Sequence, residues 1–143
     1  MRLGFLLSLF LFLFFNGMSC SGVERRVTPS GVNMMIHDIA CREVKDRLIR
    51  ECHNLGFPYH WSESDKEILL IGPLTTRPES LDVYTKMEEN YQVEIKCIDP
   101  TSTRISVRVH LKGLNAEDQW QTLKEADRLN AYGHRLLEKL IKP

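Results

Sequence analysis

The chain has 143 residues, 19 basic and 19 acidic side chains, and a formal net charge of zero. Because these charges are balanced and interspersed, the chain lacks the basic surface by which proteins bind nucleic acid, and we expect no nucleic-acid partner. An apolar fraction of 43% and a charged fraction of 27% are typical of a folded protein with one small core.

The first nineteen residues predict a secretory signal peptide. Arg2 supplies a positive charge, residues 3–15 form an almost unbroken apolar run, and residues 16–19 are small or polar. A charged start, an apolar stretch and a small-residue exit are the three parts of such a signal. The run is shorter than the roughly 20 apolar residues that a transmembrane helix needs, so we predict that residues 1–19 are removed.

Cys20 directly follows Gly17-Met18-Ser19 and resembles the modification site of bacterial lipoproteins, although Gly17 stands where that family usually has leucine. The resemblance implies lipidation of Cys20, with palmitate-like acyl chains, and a protein anchored in the cell envelope. Ser21 stands where an aspartate would favour inner-membrane retention in those lipoproteins, which implies the outer membrane, facing the periplasm. The alternative is ordinary secretion, with Gly17 and Ser19 as the small residues of a cleavage site.

Residues 20–32 predict the lipidated cysteine followed by a tether, because residues 21–31 are polar and show no apolar period. The predicted organisation is therefore a signal peptide at 1–19, an anchor and tether at 20–32, and a single α+β domain at 33–143.

An amphipathic helix is predicted over residues 38–55, where apolar residues recur at helical spacing and form one stripe. Gly56 and Pro58 end it. A short strand at 57–61 and a buried strand at 68–71 follow, and residues 74–76 could continue the second strand beyond a bulge. We predict a loop over 77–90, with at most a short element at 81–87.

Residues 91–112 give the clearest local pattern, because apolar and polar side chains alternate on both sides of a turn. The pattern predicts an antiparallel hairpin with one apolar and one solvated face. A three-residue connection at 100–102 predicts Cys97 opposite Ile105 and Glu94 opposite Arg108.

The last predicted helix begins at Asn115, whose side chain can cap free N–H groups, and runs to residue 140 with Trp120 in its buried stripe. Gly133 lies within that stripe, which predicts a close approach of this helix to the sheet or to the first helix. The order helix, four strands, long helix predicts a two-layer α+β fold with a mostly antiparallel sheet and both helices on one face. Element order and length resemble the small helix-grip domains of outer-membrane assembly lipoproteins.

Cys41, Cys52 and Cys97 are predicted to be buried structural thiols, because each lies on or near an apolar row. Cys41 and Cys52 are about 16 Å apart along a helix and cannot form a disulfide. Only Cys97 could bond to either one, and we favour three free thiols. An exported thiol enzyme is the alternative, in which one exposed cysteine would pair with a histidine; the histidines are His37, His53, His60, His110 and His134.

No motif with metal-ligand spacing and no phosphate-binding glycine loop is present, so we expect no metal and no cofactor. The carboxylate pairs Glu88-Glu89 and Glu117-Asp118 are interpreted as solvated and helix-capping groups, respectively. The aromatic residues Phe57, Tyr59, Trp61 and Tyr84 could line a groove or a partner site, and core packing is the favoured interpretation for the first three.

These patterns together predict a non-enzymatic envelope lipoprotein that binds a partner protein within an envelope assembly. The contact would be an edge strand or the solvated hairpin face, which carries Glu94, Lys96, Arg104, Arg108 and His110. The alternative function is binding of a small ligand or lipid in a groove between the long helix and the sheet.

Overall fold

A computed structural model describes residues 24–28, 31–65, 67–78 and 83–141, and only the backbone of 24–28. The signal peptide at 1–19 and the lipidation site Cys20 lie outside the described residues. None of the helices in these ranges is both long enough and apolar enough to span a membrane.

The described residues form seven strands and two helices. The strands are β1 Glu24–Thr28, β2 Gly31–His37, β3 Tyr59–Trp61, β4 Ile68–Thr76, β5 Lys86–Asp99, β6 Ser102–Leu114 and β7 Trp120–Leu123, and the helices are α1 Cys41–Asn54 and α2 Ala126–Leu140. The sheet order is β1-β2-β6-β5-β4-β3, with β7 paired to β6, and every pairing is antiparallel. The predicted α+β class and antiparallel sheet are confirmed, whereas the predicted number of four strands is wrong.

Two of the additional strands lie in or next to the expected tether. β1 and β2 pair with each other, with Glu24 opposite Met35, and β2 also pairs with β6. The expected tether at 20–32 therefore contains β1, and the expected domain start at residue 33 falls inside β2. A strand at the sheet edge needs no alternation of apolar and polar residues. Because β1 has the mostly polar sequence ERRVT, the apolar pattern does not indicate a strand at 24–28.

The hairpin of β5 and β6 has the predicted inward pattern but not the predicted register. Ile95 lies opposite Ile105, and Glu94 lies opposite Ser106 rather than Arg108, a shift of two residues. The pairing closes at Asp99 and Ser102 after an irregularity beyond Cys97, so the turn is tighter than the expected three residues. The Asp99 carboxylate accepts a hydrogen bond from the Thr101 backbone N–H at 2.9 Å, which stabilises this turn.

The second helix starts at Ala126, eleven residues later than predicted. The Asn115 side-chain oxygen accepts hydrogen bonds from the backbone N–H groups of Glu117 at 3.0 Å and Gln119 at 2.9 Å, as a helix cap would. It does so within a turn between β6 and β7, where Asp118 has a φ of 58° that a helix cannot contain. The predicted helix-capping role of Glu117-Asp118 is therefore wrong, and Trp120 is 48% exposed rather than buried.

We call the sheet face that carries Val93, Ile95, Ile105 and Val107 the inner face, and its opposite the outer face. These four side chains are fully buried, in one apolar cluster with Val44, Leu48 and Cys52 of α1 and with Tyr132, Leu136, Leu137 and Leu140 of α2. A Cβ added to Gly133 would lie 2.9 Å from Cγ2 of Val32 and 3.3 Å from Cγ2 of Val109. The predicted close approach at Gly133 is thus confirmed, and the neighbour is the sheet.

The cysteines differ from the expectation of three free thiols. Cys41 and Cys97 form a disulfide with Cα atoms 5.7 Å apart, and only Cys52 is a free, buried thiol among the described cysteines. Cys97 continues the inward row of β5 to the point where α1 begins, which brings the two side chains within bonding reach. Cys97 itself is exposed, because this end of β5 extends beyond the core.

Candidate ligand-binding cleft

A cleft of about 440 Å³ opens between α2, the connection from α1 to β3, and the strands β4 and β5. Its volume lies within the range of roughly 300–1,000 Å³ that small-molecule sites occupy. We call it the Glu89 cleft and define it by Leu74, Thr76, Glu89, Tyr91, Arg135 and Lys139, which all line it.

The cleft exists because β4 is irregular and β3 is short. Ile71 pairs with Tyr91, and the next pair is Leu74 with Glu89, so β4 accommodates one extra residue at Gly72-Pro73. That bulge puts Leu74 on the same face as Ile71. β3 pairs with β4 only as far as Ile71, so within the described ranges residues 74–76 have a strand partner on one side only.

Glu89 is a carboxylate buried on the floor of the cleft, with 8% of its surface exposed. Its Oε1 accepts a hydrogen bond from Thr76 Oγ1 at 2.6 Å, and its Oε2 accepts one from the Tyr91 hydroxyl. Two hydroxyl donors fix the orientation of the carboxylate and leave about half of its acceptor capacity unused. Glu89 can therefore accept further hydrogen bonds from a molecule in the cleft.

The pKa of Tyr91 is raised well above its usual value, first by burial and then by its hydrogen bond to Glu89 and the charge of that carboxylate. The positive charge of Arg135 acts in the opposite direction on the same pKa, which places that charge near the Tyr91 hydroxyl. Tyr91 consequently stays protonated and remains a hydrogen-bond donor throughout the neutral pH range.

The α2 wall of the cleft is basic. Arg135 and Lys139 are one helical turn apart and lie on the same side of α2. The Arg135 guanidinium lies 5.0 Å from the centroid of the Tyr132 ring, and Lys139 Nζ lies 5.9 Å from the centroid of the Phe57 ring. The cleft thus presents a negative charge on its sheet floor and positive charges on its helical wall.

The five residues predicted for a partner face are all exposed, on β5 and β6. Lys96 lies directly opposite Arg104, which brings two like charges together on the outer face. Glu94, Arg108 and His110 instead lie opposite the uncharged residues Ser106, Gln92 and Asn90. Only Lys96 and Arg104 of this set are therefore cross-strand neighbours.

The aromatic residues considered for a groove pack mainly against the core. Phe57, Tyr59, Trp61 and Tyr84 are all partly buried beside it. For the first three this agrees with the favoured interpretation of core packing. The Tyr84 ring covers Gly113 so closely that a Cβ there would overlap the ring. Phe57 also lines the Glu89 cleft.

The sequence patterns missed the residues that form this cleft. The prediction that both Glu88 and Glu89 are solvated is wrong for Glu89, which is buried. Only Glu88 faces outward, where it pairs with Lys112 at 3.7 Å. The inward alternation of β5 extends back from Tyr91 through Glu89 to Met87, and Met87 is fully buried. Extending the period of two by four residues would have identified an inward carboxylate.

In the part of the chain that the structure describes, no group of three or more His, Cys, Asp or Glu side chains is arranged to hold a metal ion. No family model matches the chain, and no curated protein matches it. Among solved structures, it is similar to a DUF4468 family protein from Bacteroides ovatus ATCC 8483, with 14% sequence identity and a TM-score of 0.40 over 81% of this chain and 77% of that one.

Proposed function

We propose that this chain is a non-enzymatic binding protein of a bacterial cell envelope that holds a small ligand in the Glu89 cleft. Both helices would cover the inner face of the sheet. The disulfide joins α1 to Cys97 in the inward row of β5, and Gly133 of α2 packs against Val32 of β2, which support this arrangement. The cleft would then be a gap in the helical layer.

The observation that carries the proposal is the buried carboxylate of Glu89. Burying a charge is costly unless it is compensated by partners, and Glu89 has two hydroxyl donors inside a cleft large enough for a ligand. A few oriented polar groups in a concave site are typical of small-molecule binding. This arrangement favours the groove between the long helix and the sheet over the outer face as the binding site.

The state of the thiols supports a non-enzymatic role. Cys41 and Cys97 are bonded to each other, so neither is a nucleophile while the disulfide is intact. Burial, with a smaller contribution from the charge of Glu51, raises the pKa of Cys52 to about 11. Cys52 is therefore protonated at neutral pH, and the thiol is a poor nucleophile in that form.

Anchoring through Cys20 is the part of the proposal that rests on sequence. The apolar run and the small residues before Cys20 support lipidation, and multiple acyl chains on one residue give stable membrane attachment. Mass spectrometry of the native protein should find a lipid-modified Cys20 at the mature N-terminus. An unmodified N-terminus at Ser21 or later would contradict the anchor without bearing on the cleft.

Ligand binding in the cleft can be tested by equilibrium dialysis of the full chain against a small-molecule extract of bacterial envelopes, followed by mass spectrometry of the retained compounds. Leu74→Trp adds an indole beside Glu89 and should abolish retention. Thr122→Trp adds the same group at an exposed position of β7 and should leave retention unchanged. If the wild type retains no compound, or if the two variants retain the same amount, a ligand site in this cleft is contradicted.

A second candidate function is the protein-binding accessory role, and the pair Lys96 and Arg104 favours it. Like charges directly opposite each other destabilise a sheet, so a partner with an acidic group would relieve their repulsion. Affinity capture with Lys96→Gln/Arg104→Gln should then lose a protein that the wild type retains. Lys112→Gln is the matched control, because Lys112 is exposed on the same face and is already paired with Glu88.

A further inference from the structure

The charges of the Glu89 cleft restrict the chemistry of its ligand. The floor carries the Glu89 carboxylate, and the α2 wall carries Arg135 and Lys139. Both side chains are exposed, and the Lys139 ammonium lies beside the Phe57 ring. Arg135 has further interactions besides its contact with the Tyr132 ring, so we assign the positive end of the site to Lys139. A ligand must therefore satisfy one negative and at least one positive group in a single cleft.

Ligands with only one kind of charge fit this arrangement poorly. An anion alone would be attracted by Arg135 and Lys139 but would leave the remaining acceptor positions of Glu89 without donors. A cation alone would be attracted by Glu89 but repelled by both basic side chains. A neutral apolar ligand would remove water from Glu89 without replacing its hydrogen bonds, which is costly for a charged group. A ligand with both charges can pair with Glu89 on the floor and with the basic side chains on the α2 wall.

The hydrogen bonds of Glu89 indicate which charge lies deeper. Each of its oxygens already accepts from one hydroxyl, and each retains capacity for another donor. An ammonium group supplies three donors and a positive charge, so it matches the remaining acceptor positions on the floor. A carboxylate on the same ligand would then face the ammonium of Lys139 at the rim.

We infer that the Glu89 cleft binds a zwitterion that carries an ammonium and a carboxylate, the chemistry of a free amino acid or a short peptide. This inference rests on the proposed function and adds the class of ligand to it. Glu89 binds the ammonium, and Lys139 binds the carboxylate. Leu74 and Leu136 provide apolar contacts for the side chains between the two ends.

The test is isothermal titration of the full chain with four probes: L-alanine, tri-alanine, N-acetyl-tri-alanine and tri-alanine amide. At least one of the two uncapped zwitterions should bind. Each cap on tri-alanine should weaken its binding by about tenfold to a hundredfold, because each removes a charge-assisted hydrogen bond. Tighter binding of tri-alanine would identify peptides as the ligand class, and tighter binding of L-alanine would identify free amino acids. In the second case, the affinities of the variants described below are measured with L-alanine and its N-acetylated and amidated forms.

Two variants assign the ends of the ligand. Glu89→Gln keeps the shape of the side chain and should remove the penalty for N-acetylation while the penalty for amidation remains. Lys139→Gln should do the opposite. Lys124→Gln, at an exposed position outside the cleft, is the control and should change neither penalty.

Capped and uncapped probes that bind the cleft with equal affinity would overturn the zwitterion inference and leave the proposed ligand site intact. The inference also fails alone if no probe binds but the dialysis experiment retains another compound. If neither experiment finds a ligand, both the inference and the proposed function fail. Should Glu89→Gln not fold, the four probes on the wild type decide the question by themselves.

Discussion

Cys41 and Cys97 join the first residue of α1 to the end of β5 that extends beyond the core, across a sequence separation of 56 residues. The bond closes a large loop in the unfolded chain and therefore restricts the conformations available to it. It also fixes the start of α1, where the preceding N-cap residue Ala40 provides no side-chain hydrogen bond.

Replacing both cysteines, as Cys41→Ser/Cys97→Ser, should lower the free energy of unfolding by about 4 kcal/mol, the loop-entropy estimate for a loop of this size. Urea denaturation measures the change. A reducing agent should lower the stability of the wild type and leave the double variant unaffected. Equal stability of the wild type with and without reductant would show that the bond is absent or contributes nothing.

Cys52 should resist alkylation at neutral pH in the folded protein and react once denaturant is added. Its pKa is about 11 in the folded state against 9.0 ordinarily, so the unfolded chain loses this proton first as the pH rises. The free energy of unfolding should therefore fall between about pH 9 and 11. Cys52→Ala should show a shallower fall over that window. Rapid labelling of folded protein at Cys52 would favour the thiol-enzyme alternative.

The sequence predicted those features that depend only on the residue pattern within one segment of the chain. The alternation of β5 and β6 identified which side chains face inward, and Gly133 identified a close helix contact. The register was wrong by two residues because it depends on how the turn closes at Asp99 and Ser102. Asn115 gave a correct capping signal for the wrong element, since the same side-chain chemistry stabilises a turn.

The cleft could not be predicted in this way, because it depends on residues distant in sequence. Its floor comes from the pairing of β4 and β5 beyond a bulge, and its wall comes from α2. The polar run at residues 88–90 also concealed the period of two that places Glu89 inside. The Cys41–Cys97 bond was missed for a related reason: it depends on where α1 begins relative to β5.

The hydroxyl donors to Glu89 should contribute measurably to stability. Tyr91→Phe removes one donor from a buried carboxylate and should lower the free energy of unfolding by about 1–3 kcal/mol, and Thr76→Val should have a similar effect. Thr75→Val is the matched control, because the Thr75 side chain is exposed and should change stability little. Equal stabilities of Thr76→Val and Thr75→Val in urea would contradict the importance of the hydrogen bond at Thr76.

Gly133→Ala should destabilise the protein although alanine favours helices. The gain of up to about 1 kcal/mol in helix propensity is outweighed by overpacking against Val32, which typically costs about 1–3 kcal/mol. The same substitution in a Val32→Ala background should be less destabilising, because only the 3.3 Å contact with Cγ2 of Val109 then remains. A double-mutant cycle by urea denaturation measures this coupling, and strict additivity would refute it.

The most direct test of the cleft as a zwitterion site is a titration of ¹⁵N-labelled protein with L-alanine and, separately, with tri-alanine, followed through backbone amide shifts. We predict that at least one of the two causes concentration-dependent shifts at Leu74, Glu89 and Lys139, with the amides of Lys96 and Arg104 on the outer face unchanged. Shifts confined to the outer face, or no shift with either compound at any residue of the folded protein, would contradict the zwitterion site.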